Sequence, residues 1–412
     1  LGSQAYGKTL IQNILLSEDI MNSINCLKKL GVKISLNKKN CYVYGKGLNG
    51  FEYKKNIVLN AGNSGTFARL ILGLLVKSPY YIKLVGDKSL SQRDFERVIS
   101  PLQKVGANFK VNIKKTLPLQ IIGSEFINPI HYIENRGSAQ CKSTIMLAAL
   151  NLPGKTVIKA KKSRDHTENI FKYLGIPIIV KKNKHNDEIK VVGQKAFSSF
   201  KYKVPSDPSS CAFFIVLTLL SKNSELKIKN VNVNDSRIGY IKILNKMGAK
   251  IKIKNIKKRY GEKQADIFVK SQKILRKINC SPSLNSNLID EFLIIFLAAA
   301  KAKGVSKFAN LGELNKKESP RLKLGSKLLN QLGIKTKLTK DSLKIFGNPG
   351  IDLKKSIHIK NYFKDHRIFM TSVIAACVFG GKWKVDDASS YKSSFPSFLK
   401  IIKKLGYKFK LG

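Results

Sequence analysis

The sequence predicts an α/β fold built from six repeated units. A helix-like stretch that ends in Leu, Val or Met followed by glycine, and then a strand-like stretch, occurs six times. The repeat glycines are Gly31, Gly106, Gly175, Gly248, Gly333 and Gly406. Repeats of this length are each a small αβ unit that must pack on its neighbours to bury its apolar face. In each copy the glycine is expected where a helix ends and the chain turns into a strand.

A second pattern, a polar turn that leads into an apolar helix, precedes five of these copies. It covers residues 57–76, 136–150, 204–220, 288–302 and 363–379. Each unit should therefore hold one buried helix, one surface helix and several strands. The best boundary lies near residues 203–206, which predicts a three-unit domain over 1–204 and another over 205–412. The first unit lacks the pattern and the chain begins at Leu1, so the first domain is expected to be truncated at its N-terminus.

Composition indicates a soluble, globular, cytoplasmic protein. Of 412 residues, 43% are hydrophobic and 25% charged, and the longest apolar runs are about half of the ~20 residues that a membrane span needs. The six cysteines are scattered without a paired motif, which favours buried free thiols. The five histidines show no metal-ligand spacing. We therefore expect no membrane association, no metal and no cofactor.

The formal net charge of +50 comes mainly from lysines spread over nearly every segment. A nucleic-acid-binding protein more often has a basic patch with aromatic residues, so no specific nucleic-acid partner is predicted, only weak non-specific binding of polyanions. Arginine is rare and lies in polar segments at five positions. They are Arg69, Arg93, Arg164, Arg321 and Arg367. Because a guanidinium binds carboxylate or phosphate through two hydrogen bonds, these positions predict sites for small anionic substrates. Separately, the chain is expected to be a monomer.

One motif is misleading. Residues 2–9 match the P-loop pattern in full. A P-loop needs a strand before it and a helix that begins at its Lys-Thr pair. Here only Leu1 precedes the motif and a strand-like stretch follows it. No nucleotide site is predicted there.

Two polar turns predict anion-binding helix starts. Asn63 and Gly65 lie in one turn, followed by Arg69, and Ser138 with Gln140 repeats the arrangement. Small residues let backbone N–H groups approach an anion, and the helix dipole favours it there. The alternative is an ordinary helix cap, and the sequence leaves it open.

Three segments of the second half combine proton-handling groups with cations. Asp290 directly precedes an apolar helix, Glu318 lies between Lys317 and Arg321, and His366 adjoins Arg367. A carboxylate held near an anionic substrate suits proton transfer. Helix capping for Asp290 and a solvated charge run for residues 317–321 are the alternatives.

Taken together and in this order, these segments resemble the 5-enolpyruvylshikimate-3-phosphate synthase family of enolpyruvyl transferases. The matching stretches include GNSGTFARL, GDKSLSQRDFERVISPLQKVGA, SAQCKSTIMLAAL, SRDHTENIFKYLG, VPSDPSSCAFF, DEFLIIFLAAA, NKKESPRL, DHRIFM and SSFPSFL. The resemblance implies the two-domain enolpyruvyl transferase fold, an inside-out α/β barrel with three βαβαββ units around a pseudo-three-fold axis in each domain and the site in the cleft between. It also implies transfer of the enolpyruvyl group of phosphoenolpyruvate to the 5-hydroxyl of shikimate 3-phosphate, with release of phosphate, in chorismate and aromatic amino-acid biosynthesis.

The resemblance also assigns roles to residues. Asp290 is implied as the base for the 5-hydroxyl and Glu318 as the acid that protonates the enol methylene. The shikimate 3-phosphate set is Ser138, Ala139, Gln140, Arg164, Asp290 and Lys317. The phosphoenolpyruvate set is Gly65, Arg93, Gln140, Arg321 and Arg367, with Asn63, Arg69 and His366 in support.

Two departures and two alternatives accompany this resemblance. The family's N-terminal P-G-D-K-S-x-x-x-R segment is absent, so the chain as it stands is expected to be poorly active; Pro320 replaces the usual Asp and Ser206 the usual Gly. One alternative is a UDP-N-acetylglucosamine enolpyruvyl transferase, although the segment around Arg93 lacks the loop cysteine of that family. The other is a non-catalytic, lysine-rich polyanion-binding relic of the same fold.

Overall fold

The computed structural model describes residues 1–411, and their contacts divide the chain into two compact units. The first comprises Leu1–Val204 with Tyr260–Glu262, and the second comprises Pro205–Arg259 with the chain from Lys263 onward. Each unit has its own hydrophobic core. Within the described residues, every helix is too short or too polar to cross a lipid bilayer.

The first unit contains five helices and twelve strands among its described residues. The helices are α1 Glu18–Lys29, α2 Gly65–Leu74, α3 Glu96–Val105, α4 Ala139–Ala149 and α5 His166–Tyr173. The strands are β1 Tyr6–Gln12, β2 Lys33–Asn37, β3 Asn40–Lys46, β4 Val58–Asn60, β5 Ile82–Val85, β6 Asn108–Val111, β7 Leu119–Ile122, β8 His131–Glu134, β9 Lys155–Lys161, β10 Ile178–Lys182, β11 Asn186–Val192 and β12 Lys201–Lys203. They form three four-stranded sheets in the orders β12-β1-β3-β2, β4-β5-β7-β6 and β10-β11-β9-β8.

The second unit repeats this plan. Its helices are α6 Pro208–Leu220, α7 Gly239–Lys246, α8 Phe292–Ala300, α9 Arg321–Gln331, α10 His366–Phe379 and α11 Phe398–Lys404. Its strands are β13 Glu225–Asn232, β14 Ile251–Arg259, β15 Glu262–Lys270, β16 Leu275–Arg276, β17 Asn279–Cys280, β18 Ala302–Phe308, β19 Thr336–Leu338, β20 Leu343–Gly347, β21 Leu353–Ile359 and β22 Gly380–Val385. The sheet orders are β13-β15-β14, β16-β18-β20-β19 with β17 on β18, and β21-β22.

The five apolar helices form the cores because they are apolar around much of their circumference. Every residue of α8 is buried, and α6, α8 and α10 pack against one another. In the first unit α2 packs on α4 so closely that a Cβ on Gly73 would lie 2.2 Å from the Thr144 carbonyl oxygen. Glycine at position 73 therefore sets the distance between these two helices.

The repeat glycines behave as the sequence predicts. All six have positive φ, between +70° and +120°, at the ends of their helices, which confirms their expected role. The predicted strand follows in five copies, but no strand is assigned at residues 407–411 after Gly406. The sixth prediction is wrong because alternation alone does not make a strand; its backbone needs a neighbouring strand to bond.

The P-loop match is a coincidence of sequence. Lys8 and Thr9 lie inside β1, in register with Tyr44 and Val43 of β3. A P-loop would require a helix to begin at these two residues. Here the two residues lie in a strand instead.

Candidate active site

The turn between β4 and α2 forms the first candidate anion position. Its Asn60 side chain accepts a hydrogen bond from Gly62 N at 2.9 Å, and the Ser64 hydroxyl caps α2 by accepting from Phe67 N at 3.3 Å. Gly62 has a φ of +56°, a conformation that glycine adopts without steric cost. The turn thus orders the start of α2, an end of the helix that favours an anion.

Arg93 lies over this helix start. A Cβ on Gly65 would lie 2.7 Å from an Arg93 guanidinium nitrogen. That guanidinium also approaches the Asn63 side-chain oxygen at 3.4 Å, and the Asn63 amide donates to Asp87 at 2.6 Å. The structure therefore brings together Asn63, Gly65 and Arg93, three of the residues that the sequence singles out.

Gln140 is held by groups from α2. Its side-chain oxygen accepts from Arg69 at 2.5 Å, and its amide nitrogen donates to the Thr66 hydroxyl at 2.8 Å. The Arg69 guanidinium lies 5.5 Å from the centre of the Phe95 ring, and burial lowers its pKa to about 10, helped by the charge of Arg97. Arg69 therefore orients Gln140.

The second helix start in this unit is fixed by a buried carboxylate. Glu134 accepts from Arg136 N at 3.0 Å and from Ser138 N at 2.9 Å. The Ser138 hydroxyl in turn caps α4 by accepting from Cys141 N at 3.3 Å, and Ala139 is the first residue of α4. Ser138, Ala139 and Gln140 thus form one ordered helix start.

In the second unit a buried arginine organises the charged residues. Arg321 Nε donates to Asp365 at 2.8 Å, and the Ser319 hydroxyl donates to the same carboxylate at 2.7 Å. The other Asp365 oxygen accepts from Arg367 N at 2.9 Å and caps α10. Burial raises the pKa of Asp365, but the charge of Arg321 outweighs it and holds that pKa below its ordinary value.

Both candidate proton-transfer carboxylates contact this arginine. Glu318 forms an ion pair with Arg321, and Asp290 lies 3.4 Å from Arg321 and 3.3 Å from the Lys317 ammonium. Arg367 donates to the main-chain oxygen of Asp290 at 2.8 Å. The structure thus brings Asp290, Lys317, Glu318, Arg321 and Arg367 into one network.

His366 is neutral at physiological pH. Burial lowers the pKa of His366 to about 3, against the opposing charge of Asp365. A neutral imidazole can accept or donate a hydrogen bond but is not a charged proton donor at pH 7. Burial also acts to lower the pKa of Arg367, but the carboxylates of Asp290 and Glu291 raise it by more, so Arg367 stays positively charged.

Three residues that the sequence-derived sets omit hold the site residues in place. Asp365 supports Arg321, Asp87 supports Asn63, and Lys142 donates to the main-chain oxygen of Arg164 at 2.9 Å. Asp365 carries a readable helix-cap signal, but its partner lies 44 residues away. Lys142 gives no local signal, because it lies in the polar first turns of α4, where a lysine is usually exposed.

The described residues contain no group of three or more His, Cys, Asp or Glu side chains arranged to hold a metal ion. The residues of the two clusters supply cations, carboxylates and helix N-termini. Such a set can bind polyanionic substrates and move protons.

The fold is that of the enolpyruvyl transferases. The structure of the enolpyruvyl transferase NikO from Streptomyces tendae matches 99% of this chain and 91% of that chain with a TM-score of 0.76, at 13% identity, a likeness of fold alone. EPSP synthase from Acinetobacter baumannii matches 98% of this chain and 91% of that chain, with a TM-score of 0.84 and 31% identity. The fold class that the sequence resemblance implies is confirmed.

Sequence comparison defines the family more narrowly. The family model for EPSP synthase (3-phosphoshikimate 1-carboxyvinyltransferase) matches residues 1–402. A 3-phosphoshikimate 1-carboxyvinyltransferase of Ruthia magnifica subsp. Calyptogena magnifica is 40% identical over 98% of this chain and 91% of that protein, and one of Zymomonas mobilis is 35% identical over 100% and 91%. The chain belongs to the EPSP synthase family. This assignment is favoured over the two alternatives considered from the sequence.

Proposed function

We propose that the two clusters of charged residues bind the two substrates of the family's reaction and perform its proton transfers. As a member of the EPSP synthase family, the chain is an enolpyruvyl transferase of the shikimate pathway. It moves the enolpyruvyl group of phosphoenolpyruvate to the 5-hydroxyl of shikimate 3-phosphate and releases phosphate. Both substrates are polyanions, which suits clusters rich in arginine and helix N-termini.

The residue assignments follow from the resemblance of these segments to the family's motifs. Shikimate 3-phosphate binds at the α4 start through Ser138, Ala139 and Gln140, with Arg164, Lys317 and Asp290. Phosphoenolpyruvate binds Gly65, Arg93, Gln140, Arg321 and Arg367. The assignment of Gly65 is supported by its closeness to Arg93, because a Cβ at position 65 would lie 2.7 Å from the Arg93 guanidinium.

Asp290 and Glu318 divide the proton transfers between them. Asp290 takes the proton of the 5-hydroxyl as its oxygen bonds to C2 of phosphoenolpyruvate, and Glu318 gives a proton to the methylene carbon. In the elimination the methyl group returns a proton to Glu318 as the C–O bond to phosphate breaks, and phosphate leaves with the proton that Asp290 took from the hydroxyl. The observation that carries this assignment is that both carboxylates contact Arg321, which is proposed to bind phosphoenolpyruvate, so that both lie beside that substrate.

Phosphate release by the purified chain tests the function. With shikimate 3-phosphate and phosphoenolpyruvate present, release should require both, and omission of either should abolish it. Release with UDP-N-acetylglucosamine in place of shikimate 3-phosphate would overturn the choice of acceptor. Glu318→Gln and Asp290→Asn should each lower kcat, whereas Glu313→Gln, which removes an exposed carboxylate paired with Lys316, is the matched control.

We also propose that the chain acts as a cytoplasmic monomer. The described residues hold six free cysteines, five of them buried, a usage typical of reducing compartments. Cell fractionation tests the location. Sedimentation equilibrium tests the oligomeric state, and a mass near 46.1 kDa is the expected result.

A further inference from the structure

Lys142 is a buried charge on the helix that carries the proposed shikimate 3-phosphate residues. It lies two positions after Gln140 on α4, and its side chain is 1% exposed. Its ammonium lies 2.5 Å from the carboxylate of Glu168 on α5, which is 3% exposed. Burial raises the pKa of Glu168, and the charge of Lys142 opposes that rise.

The same ammonium reaches the segment that contains Arg164. It donates to the Arg164 main-chain oxygen at 2.9 Å, and Arg164 lies two residues before α5 begins. One side chain therefore bonds the start of α4 to both the Arg164 backbone and the first turn of α5.

Stability alone is a weak reason to keep such a pair. Burying two charges costs desolvation energy, and well-packed apolar residues of similar volume are often as stabilising. A buried pair with a third bond to a backbone carbonyl does, however, fix the relative positions of the groups that it joins. Here those groups are the two elements proposed to grip one substrate.

We infer that Lys142 is a positioning residue for shikimate 3-phosphate, and that its pair with Glu168 holds the Arg164 backbone at a fixed place beside the turn of Ser138 and Gln140. The inference rests on the proposed function. A lysine there acts through Arg164 and touches no substrate. Loss of the ammonium should weaken binding of shikimate 3-phosphate and leave phosphoenolpyruvate binding and the chemical step largely unchanged.

The decisive comparison uses two variants, Lys142→Met and the double variant Lys142→Met with Glu168→Met. The single variant leaves the Glu168 carboxylate buried and unpaired, so it should unfold at a lower temperature. The double variant removes both charges and should recover most of that loss. In both, KM for shikimate 3-phosphate should rise at least tenfold, with kcat and KM for phosphoenolpyruvate within about twofold of the parent. If KM recovers together with stability, the role of Lys142 is structural and the inference is overturned.

A matched control lies on the same two helices. Thr167 of α5 contacts the Ser143 hydroxyl of α4 at 2.6 Å, and this contact does not involve the Arg164 backbone. Thr167→Val should leave KM for shikimate 3-phosphate unchanged. A tenfold rise in that variant would mean that any α4–α5 contact matters, and the specific role of Lys142 would be refuted.

Arg164→Ala separates this inference from the proposed function. It should raise KM for shikimate 3-phosphate, and adding Lys142→Met and Glu168→Met should raise it no further, because the ammonium acts through Arg164. Turnover by the parent chain that does not need shikimate 3-phosphate overturns the proposed function itself. A raised KM for Arg164→Ala with an unchanged KM for the charge-free double variant overturns the positioning role alone.

Discussion

Replacement of Asp365 by asparagine should destabilise the second unit through Arg321. The carboxylate accepts from Arg321 Nε at 2.8 Å and from Ser319 at 2.7 Å, and it caps α10 through Arg367 N. Asparagine can keep part of this bonding but leaves the buried guanidinium without its main countercharge. Breaking a buried pair by removal of one partner costs 3–5 kcal/mol, so with partial compensation we expect a loss of about 3 kcal/mol.

The Asp365 carboxylate also makes the free energy of unfolding depend on pH. Its pKa is lower in the folded chain than its ordinary value of 3.8, so the unfolded chain binds the proton more readily. The contribution of Asp365 is therefore fully present above pH 3.8 and is lost as the pH falls through the lower folded value. The difference in unfolding free energy between the parent and Asp365→Asn should be constant from pH 7 to about 5 and narrow below pH 4.

Urea unfolding followed by tryptophan fluorescence measures this loss of stability in the second unit. Trp383 is the single tryptophan of the chain and lies in β22 of the second unit. With an m-value on the order of 2 kcal/mol/M, a loss of about 3 kcal/mol lowers the midpoint by roughly 1.5 M. Asp352→Asn is the control, because its ion pair with Lys354 is exposed and its loss should not move the midpoint. An unchanged midpoint for Asp365→Asn would refute the view that Arg321 depends on this carboxylate.

Three further variants probe the site and its scaffold. Glu318→Gln should lower kcat by about 10²- to 10⁴-fold with little change in either KM, because the proton for the methylene carbon is lost; steady-state kinetics measures it, and unchanged kcat would exclude Glu318 as the acid. Gly65→Ala should raise KM for phosphoenolpyruvate by a larger factor than KM for shikimate 3-phosphate, since its Cβ would lie 2.7 Å from the Arg93 guanidinium. Equal increases in the two KM values would indicate a general distortion of the turn. Gly73→Ala should lower the thermal midpoint by several degrees, because its Cβ would lie 2.2 Å from the Thr144 oxygen, a clash that must shift α2 against α4; Gly154→Ala, at an open position, gives a comparison in which only backbone strain acts.

The features of the fold that the sequence predicts are those with local causes. Gly175 and Gly248 end their helices with positive φ, and this need for glycine is a property of the backbone at one residue. The apolar helix α8 is buried throughout because its residues are apolar throughout. The strand expected after Gly406 fails for the opposite reason, since a strand depends on a partner elsewhere in the chain.

The candidate site follows the same rule. The helix starts at Gly65 and Ser138 are readable from short polar turns. The contacts of Arg69 cannot be predicted from the sequence, because its partner Gln140 lies 71 residues away. From the sequence alone, Arg69 could equally bind an anion or a protein side chain. Lys142 is the extreme case, since the sequence alone does not show that the lysine is buried against Glu168 of another helix.

Five buried thiols and one half-buried thiol make this chain a convenient subject for measuring local opening. Three lie in each unit: Cys26, Cys41 and Cys141, and Cys211, Cys280 and Cys377. Burial raises the pKa of Cys26 and of Cys280 to about 11 and that of Cys377 to about 12, so each sulfur is both shielded and protonated at neutral pH. A thiol reagent can react only when a segment transiently opens. Variants that keep a single cysteine would thus report the rate at which one region of the chain opens.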